Sequence, residues 1–331
     1  MKHLLPLLAL FLALSCSRSG HYIQVSGQAQ GGTYTVKLNL DGVRESPEAV
    51  RDSIEALLIR IDTTLSGYNK LSQLSRFNGG ETIRPNALFL EMYDFAYRMW
   101  QRSGGAVDCA AGPLFDAWGF GFREGTLPTD QEVARLREQC GMGRLPSQLP
   151  LQNGLLDPSA LDFPRLNFNA VAQGYSCDKV AAYLYSLGIK DMLVDIGEIF
   201  CDGLNPSGKP WRVGIDKPED GNNSPGAKME GIWESNGGPQ GVVTSGNYRK
   251  FYIKDGVKYS HTIDPRTGYP VQHKLLSATV IAPTAMAADA YATYCMVIGT
   301  QKAQEFILSR PDLEACLISE EIWTSPGFKL Q

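Results

Sequence analysis

The chain has 331 residues, 43% of them hydrophobic, 10% aromatic and 20% charged, with 34 glycines and 19 prolines. That mixture is globular: too rich in apolar residues for disorder, and too varied for collagen or a coiled coil. A formal charge of −4, from 31 basic and 35 acidic residues, leaves no basic excess to neutralise phosphates and argues against a general nucleic-acid binder, while only four histidines argue strongly against a multi-histidine metal cluster.

Lys2 and His3 precede an apolar run from Leu4 to Leu14, too short for a bilayer core and suited to the centre of a signal peptide. Cys16 follows the small Ser15 in the manner of a bacterial lipobox. Residues 1–15 are therefore expected to be removed and Cys16 acylated, leaving residues 16–20 as a polar tether to an exported, lipid-anchored body over 21–331. An ordinary cleaved leader with an incidental Cys16 is the alternative. The other six cysteines, Cys109, Cys140, Cys177, Cys201, Cys295 and Cys316, form no C-x-x-C pair and match no zinc spacing. Several sit in apolar stretches and read as small buried hydrophobes.

Two strands are predicted over Tyr22–Gln28 and Thr33–Leu40, around a Gly31-Gly32 turn; the second alternates Tyr34, Val36 and Leu38 with Thr35 and Lys37. Ser46 and Pro47 open a helix whose apolar stripe runs from Val50 to Leu65 and stops at Gly67. Asn86 to Ser103 repeats the pattern, and Thr129 to Glu132 is a capping box for a third helix. A fourth helix is expected over Ala170–Leu187, with Asn169 available as its cap, followed by a covered strand over Met192–Ile196. Residues 205–240 are rich in Gly, Pro and Asn and read as a surface insertion, apart from a short strand over Trp211–Ile215. Strands at Val242–Ile253 and Leu276–Ile281 then precede a fifth helix at about Ala285–Ile298. Without strict βαβ alternation, the pattern predicts an α+β fold rather than a doubly wound sheet.

Three segments are too polar and glycine-rich to be core. Val243 to Tyr248, with Tyr259 to Gly268, gathers Thr244, Ser245, Gly246, His261 and Arg266, a donor-rich surface suited to a phosphate; in isolation an ordinary hairpin is the favoured reading. In Ala287 to Thr293, Asp289 and Thr293 stand at i and i+4, one above the other on a helix face, offering a carboxylate and a hydroxyl to a hard cation; the bland alternative is an aspartate welcomed by a helix N-terminus. Leu166 to Asp178 places Asn, Gln and Gly at a helix start, where free amides suit a phosphate, or where a cap alone explains them.

Read in order, these segments resemble the ApbE family, the FAD:protein FMN transferases. The resemblance also takes in Gly31 to Tyr34, Ser66-Gly67-Tyr68, Leu74 to Asn78, Gly104 to Asp108, Gly112 to Leu114, Trp118 to Gly121 and Val194 to Gly197. It implies a two-lobed α+β fold of mixed or antiparallel sheets flanked by helices, with the flavin nucleotide between the lobes. It further implies FAD as substrate, Mg²⁺ on its pyrophosphate, and transfer of FMN to a Thr or Ser hydroxyl of an acceptor protein with release of AMP. By the same resemblance Asp289, Thr293 and the Ala172 carbonyl are metal ligands, Tyr68 packs on the flavin, and Asp108, Ala172, Gln173, Thr244, Ser245, Gly246 and His261 line the nucleotide, with His261 and Asp289 in the catalytic roles. The acceptor is expected among membrane redox-complex subunits or exported flavoproteins. Three departures stand out: Gln173 replaces a usual Lys, Asn167 and Asn169 replace Asp and Gly, and Glu198 follows Gly197 where a second Gly is common. FAD hydrolysis to FMN and AMP, and passive flavin binding, are the competing functions. Tyr68 favours transfer, because hydrolytic members carry a smaller polar residue there.

Overall fold

The computed structural model describes residues 20–121, 127–162, 165–222, 224, 226–248, 251–254 and 256–331. The leader, Cys16 and all of the tether but Gly20 lie outside the described residues. The chain opens with a hairpin of β1 (Tyr22–Ala29) and β2 (Gly32–Asn39). Its turn uses Gln30 and Gly31, both at positive φ, one residue earlier than the expected glycine pair.

Ser46 caps α1 (Pro47–Leu65) by accepting from the Ala49 amide at 3.2 Å, and Asn86 caps α3 (Ala87–Arg102) through Phe89 at 3.1 Å. The short α2 (Gln73–Asn78) lies between them. After α4 (Gly112–Ala117), Thr129 caps α5 (Asp130–Gln139) as the capping box predicts. There follow α6 (Ala172–Ser186), β3 (Met192–Asp195), β4 (Ile199–Asp202), β5 (Arg212–Asp216), β6 (Met229–Glu234) and β7 (Gln240–Gly246). Small hairpins β8 (Phe251–Lys254) with β9 (Val257–Ser260), and β10 (Ile263–Asp264) with β11 (Tyr269–Pro270), come next. The chain closes through β12 (Ser277–Ala282), α7 (Ala285–Ile298), α8 (Thr300–Leu308), β13 (Glu314–Ile318) and β14 (Ile322–Thr324).

Eight strands form one sheet in the order β1-β2-β3-β4-β7-β12-β13-β14, and every neighbouring pair is antiparallel. The fold is α+β, as expected. Alternation along the central strands sends Val243 and Val280 to one face, where they join the alanines of α7, and Val242 and Ile281 to the other. The first face carries α6 and α7, with α1 packed against α6 and against β1 and β2 of the sheet.

The second face corrects the expectation for residues 205–240. They are not a surface insertion with one strand: β5 pairs with β6, and Trp211, Val213, Ile215 and Trp233 are buried against Val242, Ile281 and Cys316. Turn residues crowd the connecting loop and obscure a strand as short as β6, whose burial is decided by a sheet distant in sequence. The expected single strand Val242–Ile253 is likewise two, β7 and β8. Asn169 is not the cap of α6, which begins at Ala172 with no capping side chain. The six described cysteines are free and buried, as their apolar settings suggested.

Candidate functional site

Helix α7 is wedged at its start between β7 and α6, and only small residues allow it. A Cβ on Gly241 would lie 2.4 Å from the Ala285 Cα, and one on Gly174 would lie 2.4 Å from the Ala285 carbonyl oxygen. Ala285, Ala288, Ala290 and Ala292 are all fully buried. From Ala285 to Thr293 the helix climbs about 12 Å, close to the roughly 13 Å that β7 advances from Gly241 to Ser245. The Asp289–Thr293 turn and the Thr244 to Gly246 strand end therefore lie toward the same end of the sheet.

Asp289 is 5% exposed. Its one hydrogen bond among the described residues is from the Gly174 amide to Oδ2, at 3.1 Å. Burial pushes its carboxyl up to about 8, and the charge of Asp178 adds to this, while the Gly174 amide offsets only part. The Thr293 hydroxyl, one turn further on, is half-buried and has no hydrogen-bond partner among the described residues. Ala172 opens α6 two residues before Gly174; its carbonyl accepts from the Ser176 amide in the helical ladder and from the Ser176 hydroxyl at 2.8 Å, so a cation there would take the place of the hydroxyl. These are three hard oxygens. No group of three His, Cys, Asp or Glu side chains able to hold a metal occurs among the described residues, so a cation here would need water or phosphate to complete its shell.

Around this pair the structure assembles four further segments. Asp108 accepts from the Ala110 amide at 2.8 Å and from Met142 at 2.9 and 3.1 Å, pinning the loop after α5; burial raises its carboxyl to about 6 against the pull of those amides. Its carboxylate thus serves the backbone. The adjacent Cys109 thiol, raised chiefly by burial, also feels the charges of Asp108 and Asp289, and the Cys109 carbonyl accepts from Asn167 at 2.6 Å. A Cβ on Gly105 would lie 3.6 Å from the Arg266 Cγ, so the Asp-Pro-Arg-Thr-Gly turn closes on the same segment.

Tyr68 stands 65% exposed on the loop after α1, and its hydroxyl accepts from Asn169 Nδ2 at 3.2 Å. Ser66 Oγ fixes that loop by accepting from the Tyr68 and Asn69 amides. Gln173 donates from Nε2 to the Ile196 carbonyl at 3.2 Å and lies across Gly197, whose φ of +88° and missing Cβ leave the space. The side chain that replaces the usual lysine is thus fastened to the β3–β4 turn.

The strand-end residues divide. Thr244 shares a 2.8 Å hydrogen bond with the buried Thr279 hydroxyl, and alternation puts both on the face of Val242 and Ile281, away from α7. Ser245 alternates back toward α7 and is half-buried. At Gly246 a Cβ would meet the Tyr248 ring at 2.6 Å, so the turn requires glycine. His261 lies half-buried in the link between β9 and β10, edge-on to Phe120 at 6.4 Å between ring centroids. Its neighbour Thr262 donates to Asn247 Oδ1 at 2.6 Å and so ties this link to the end of β7. Sequence reasoning missed Asp178, which reaches the start of α7 from the middle of α6; an aspartate within a helix carries no local sign of a contact 107 residues away.

The ApbE family model matches residues 30–317. The FAD:protein FMN transferase of Vibrio cholerae is 35% identical over 308 residues, covering 90% of this chain and 88% of that protein. That of Haemophilus influenzae is 34% identical over 341 residues, covering 99% and 95%. Among solved structures, the flavin transferase ApbE from Vibrio cholerae matches with a TM-score of 0.77 at 31% identity over 93% of this chain and 98% of that one. The apo flavinyl transferase ApbE of Pseudomonas stutzeri matches with a TM-score of 0.78, at 31% identity over 93% and 95%. The chain belongs to the ApbE family.

Proposed function

We propose that the protein transfers the FMN half of FAD to a threonine or serine hydroxyl of an acceptor protein and releases AMP. The names of its relatives support flavin transfer, and one observation carries the rest: among the described residues Asp289 is a buried carboxyl with a single hydrogen bond, one helical turn from a Thr293 hydroxyl with none. Burial holds so poorly satisfied a carboxyl in its protonated form, and a cation beside it would draw it into the charged form. Asp289, Thr293 and the Ala172 carbonyl suit Mg²⁺, which prefers few protein oxygens and keeps positions for phosphate and water. Bound there, the ion would neutralise charge on the pyrophosphate and on the departing AMP.

In the proposed reaction the acceptor oxygen forms a bond to the FMN phosphorus, the bond from that phosphorus to the AMP phosphate oxygen breaks, and the hydroxyl proton is released. His261, by hydrogen bonding to developing charge or by taking that proton, is the proposed acid–base residue. Tyr68 packs on the flavin and keeps water from replacing the acceptor hydroxyl. Gln173 supplies an amide where a lysine would supply charge, so this chain relies more heavily on the cation. The leader-like residues 1–15 and Cys16 support an exported, lipid-anchored enzyme whose acceptor is an exported or membrane-bound flavoprotein.

The test mixes protein, FAD, Mg²⁺ and a flavin-acceptor domain and looks for covalent flavin fluorescence on a denaturing gel. A fluorescent acceptor band that disappears in Asp289→Ala is the expected result. Free FMN and AMP without labelled acceptor would establish hydrolysis instead, and intact bound FAD would establish a carrier. Full activity of Asp289→Ala at saturating Mg²⁺ would remove the cation assignment.

A further inference from the structure

The two helices that build the site hold each other by their N-termini. Asp178, in the second turn of α6, accepts from the Ala285 amide at 2.8 Å and the Met286 amide at 2.9 Å, the first two amides of α7. Asp289, in the second turn of α7, accepts from the Gly174 amide of α6 at 3.1 Å. Each helix thus lends a carboxylate to amides that its partner cannot satisfy internally. The fit between them leaves no slack, since a Cβ on Gly174 would also lie 2.8 Å from the Met286 amide nitrogen.

Capping alone does not account for Asp178. Helix α7 has a cap of its own in Thr284, whose hydroxyl accepts from the Ala287 amide at 3.2 Å. The charge of Asp178 is also felt at Asp289, an unfavourable pairing of two carboxylates. What the Asp178 bonds add, and Thr284 cannot, is a fixed relation between α7 and α6.

We propose that Asp178 is a positioning residue, setting the spacing between the first turn of α6, which carries the Ala172 carbonyl, and the Asp289–Thr293 turn of α7. The proposal rests on reading those three oxygens as a divalent-cation site. By holding the two helices together it braces a site with few protein ligands, where small errors in spacing weaken binding sharply.

The experiment titrates Mn²⁺ by calorimetry into the full chain as wild type, Asp178→Ala, Asp178→Asn, Thr284→Ala and Asp289→Asn, with melting temperatures and Gly174 amide hydrogen exchange recorded for each. Asp178→Ala is expected to bind Mn²⁺ at least tenfold more weakly, and Asp178→Asn, which keeps one acceptor oxygen, to lose less. Thr284→Ala is expected to melt earlier yet bind as wild type. Wild-type Mn²⁺ affinity in Asp178→Ala, or in Asp178→Asn should the alanine variant not fold, overturns the proposal and leaves Asp178 a cap. If Asp289→Asn binds Mn²⁺ as wild type does, the cation reading is what fails, and the Gly174 amide then decides. Faster exchange in the Asp178 variants than in Thr284→Ala supports the positioning role, and equal exchange overturns it.

Discussion

The two faces of the eight-stranded sheet are covered in opposite ways. On one, β5 and β6 press Trp211, Val213, Ile215 and Trp233 onto Val242, Ile281 and Cys316, and area of apolar contact holds the layers together. On the other, α7 meets β7 and α6 through Gly241, Gly174 and a run of alanines, so close that backbone touches backbone. Under that bulky cover the Thr244 and Thr279 hydroxyls are spent on each other. Close backbone approach instead brings helix amides and the Asp178 and Asp289 carboxylates into one small volume. Stability and chemistry are thus lodged on different faces of one sheet, and substitutions should separate them.

The largest effect is expected on the helical face. Asp289→Ala should lower flavin transfer roughly a thousandfold or more, since metal-centred charge stabilisation is worth several kcal/mol, and acceptor labelling at fixed FAD measures it. Trp233→Ala, at a position 2% exposed, is expected to lower unfolding free energy by about 3–5 kcal/mol in denaturant titration. Its transfer rate per folded molecule should stay within about twofold of wild type, because Trp233 lies on the far face; a large drop in that rate would break the separation. Gly174→Ala should cost roughly 1–3 kcal/mol by overpacking. Unlike Trp233→Ala, it should also slow transfer about tenfold, because a methyl against the Ala285 carbonyl shifts the helices that carry the proposed cation ligands.

A last comparison sharpens the contrast through pH. An unfolded aspartate titrates near 3.9, whereas burial pushes folded Asp289 up to about 8. In metal-free protein the folded state therefore keeps a proton that the unfolded state has released. The contribution of this group to stability is present below the unfolded value and is lost as pH rises toward 8. Asp289→Asn, which has no proton to lose, should match wild type most closely near pH 4 and become progressively the more stable of the two toward pH 8, measured by denaturant titration in chelator.

Local chemistry was legible in the sequence and distant packing was not. Ser46, Asn86 and Thr129 cap the helices they announce, because a cap is settled within four residues. The Asp289–Thr293 pair was visible for the same reason, being one turn of one helix. Strand β6 was lost because only the sheet it covers, and the β5 partner across a turn-rich loop, make it a strand. The single strand expected over Val242–Ile253 ends at Gly246, where the Tyr248 ring fills the space a side chain would need. Thr244 looked like a site residue beside Ser245, yet the pairing with Thr279 turns it to the far face, a fact of register that no spacing discloses. Asp178 reads as one more polar residue on a helix until the partner helix, over a hundred residues later, is laid against it.

The six described cysteines are all buried, and burial raises Cys140, Cys201 and Cys295 to about 12. Near neutral pH these six therefore offer almost no thiolate to an alkylating reagent or an oxidant. Iodoacetamide labelling at these six positions, read by peptide mapping, then counts the moments when the molecule opens, giving each variant a built-in clock of native-state openings that needs neither flavin nor acceptor.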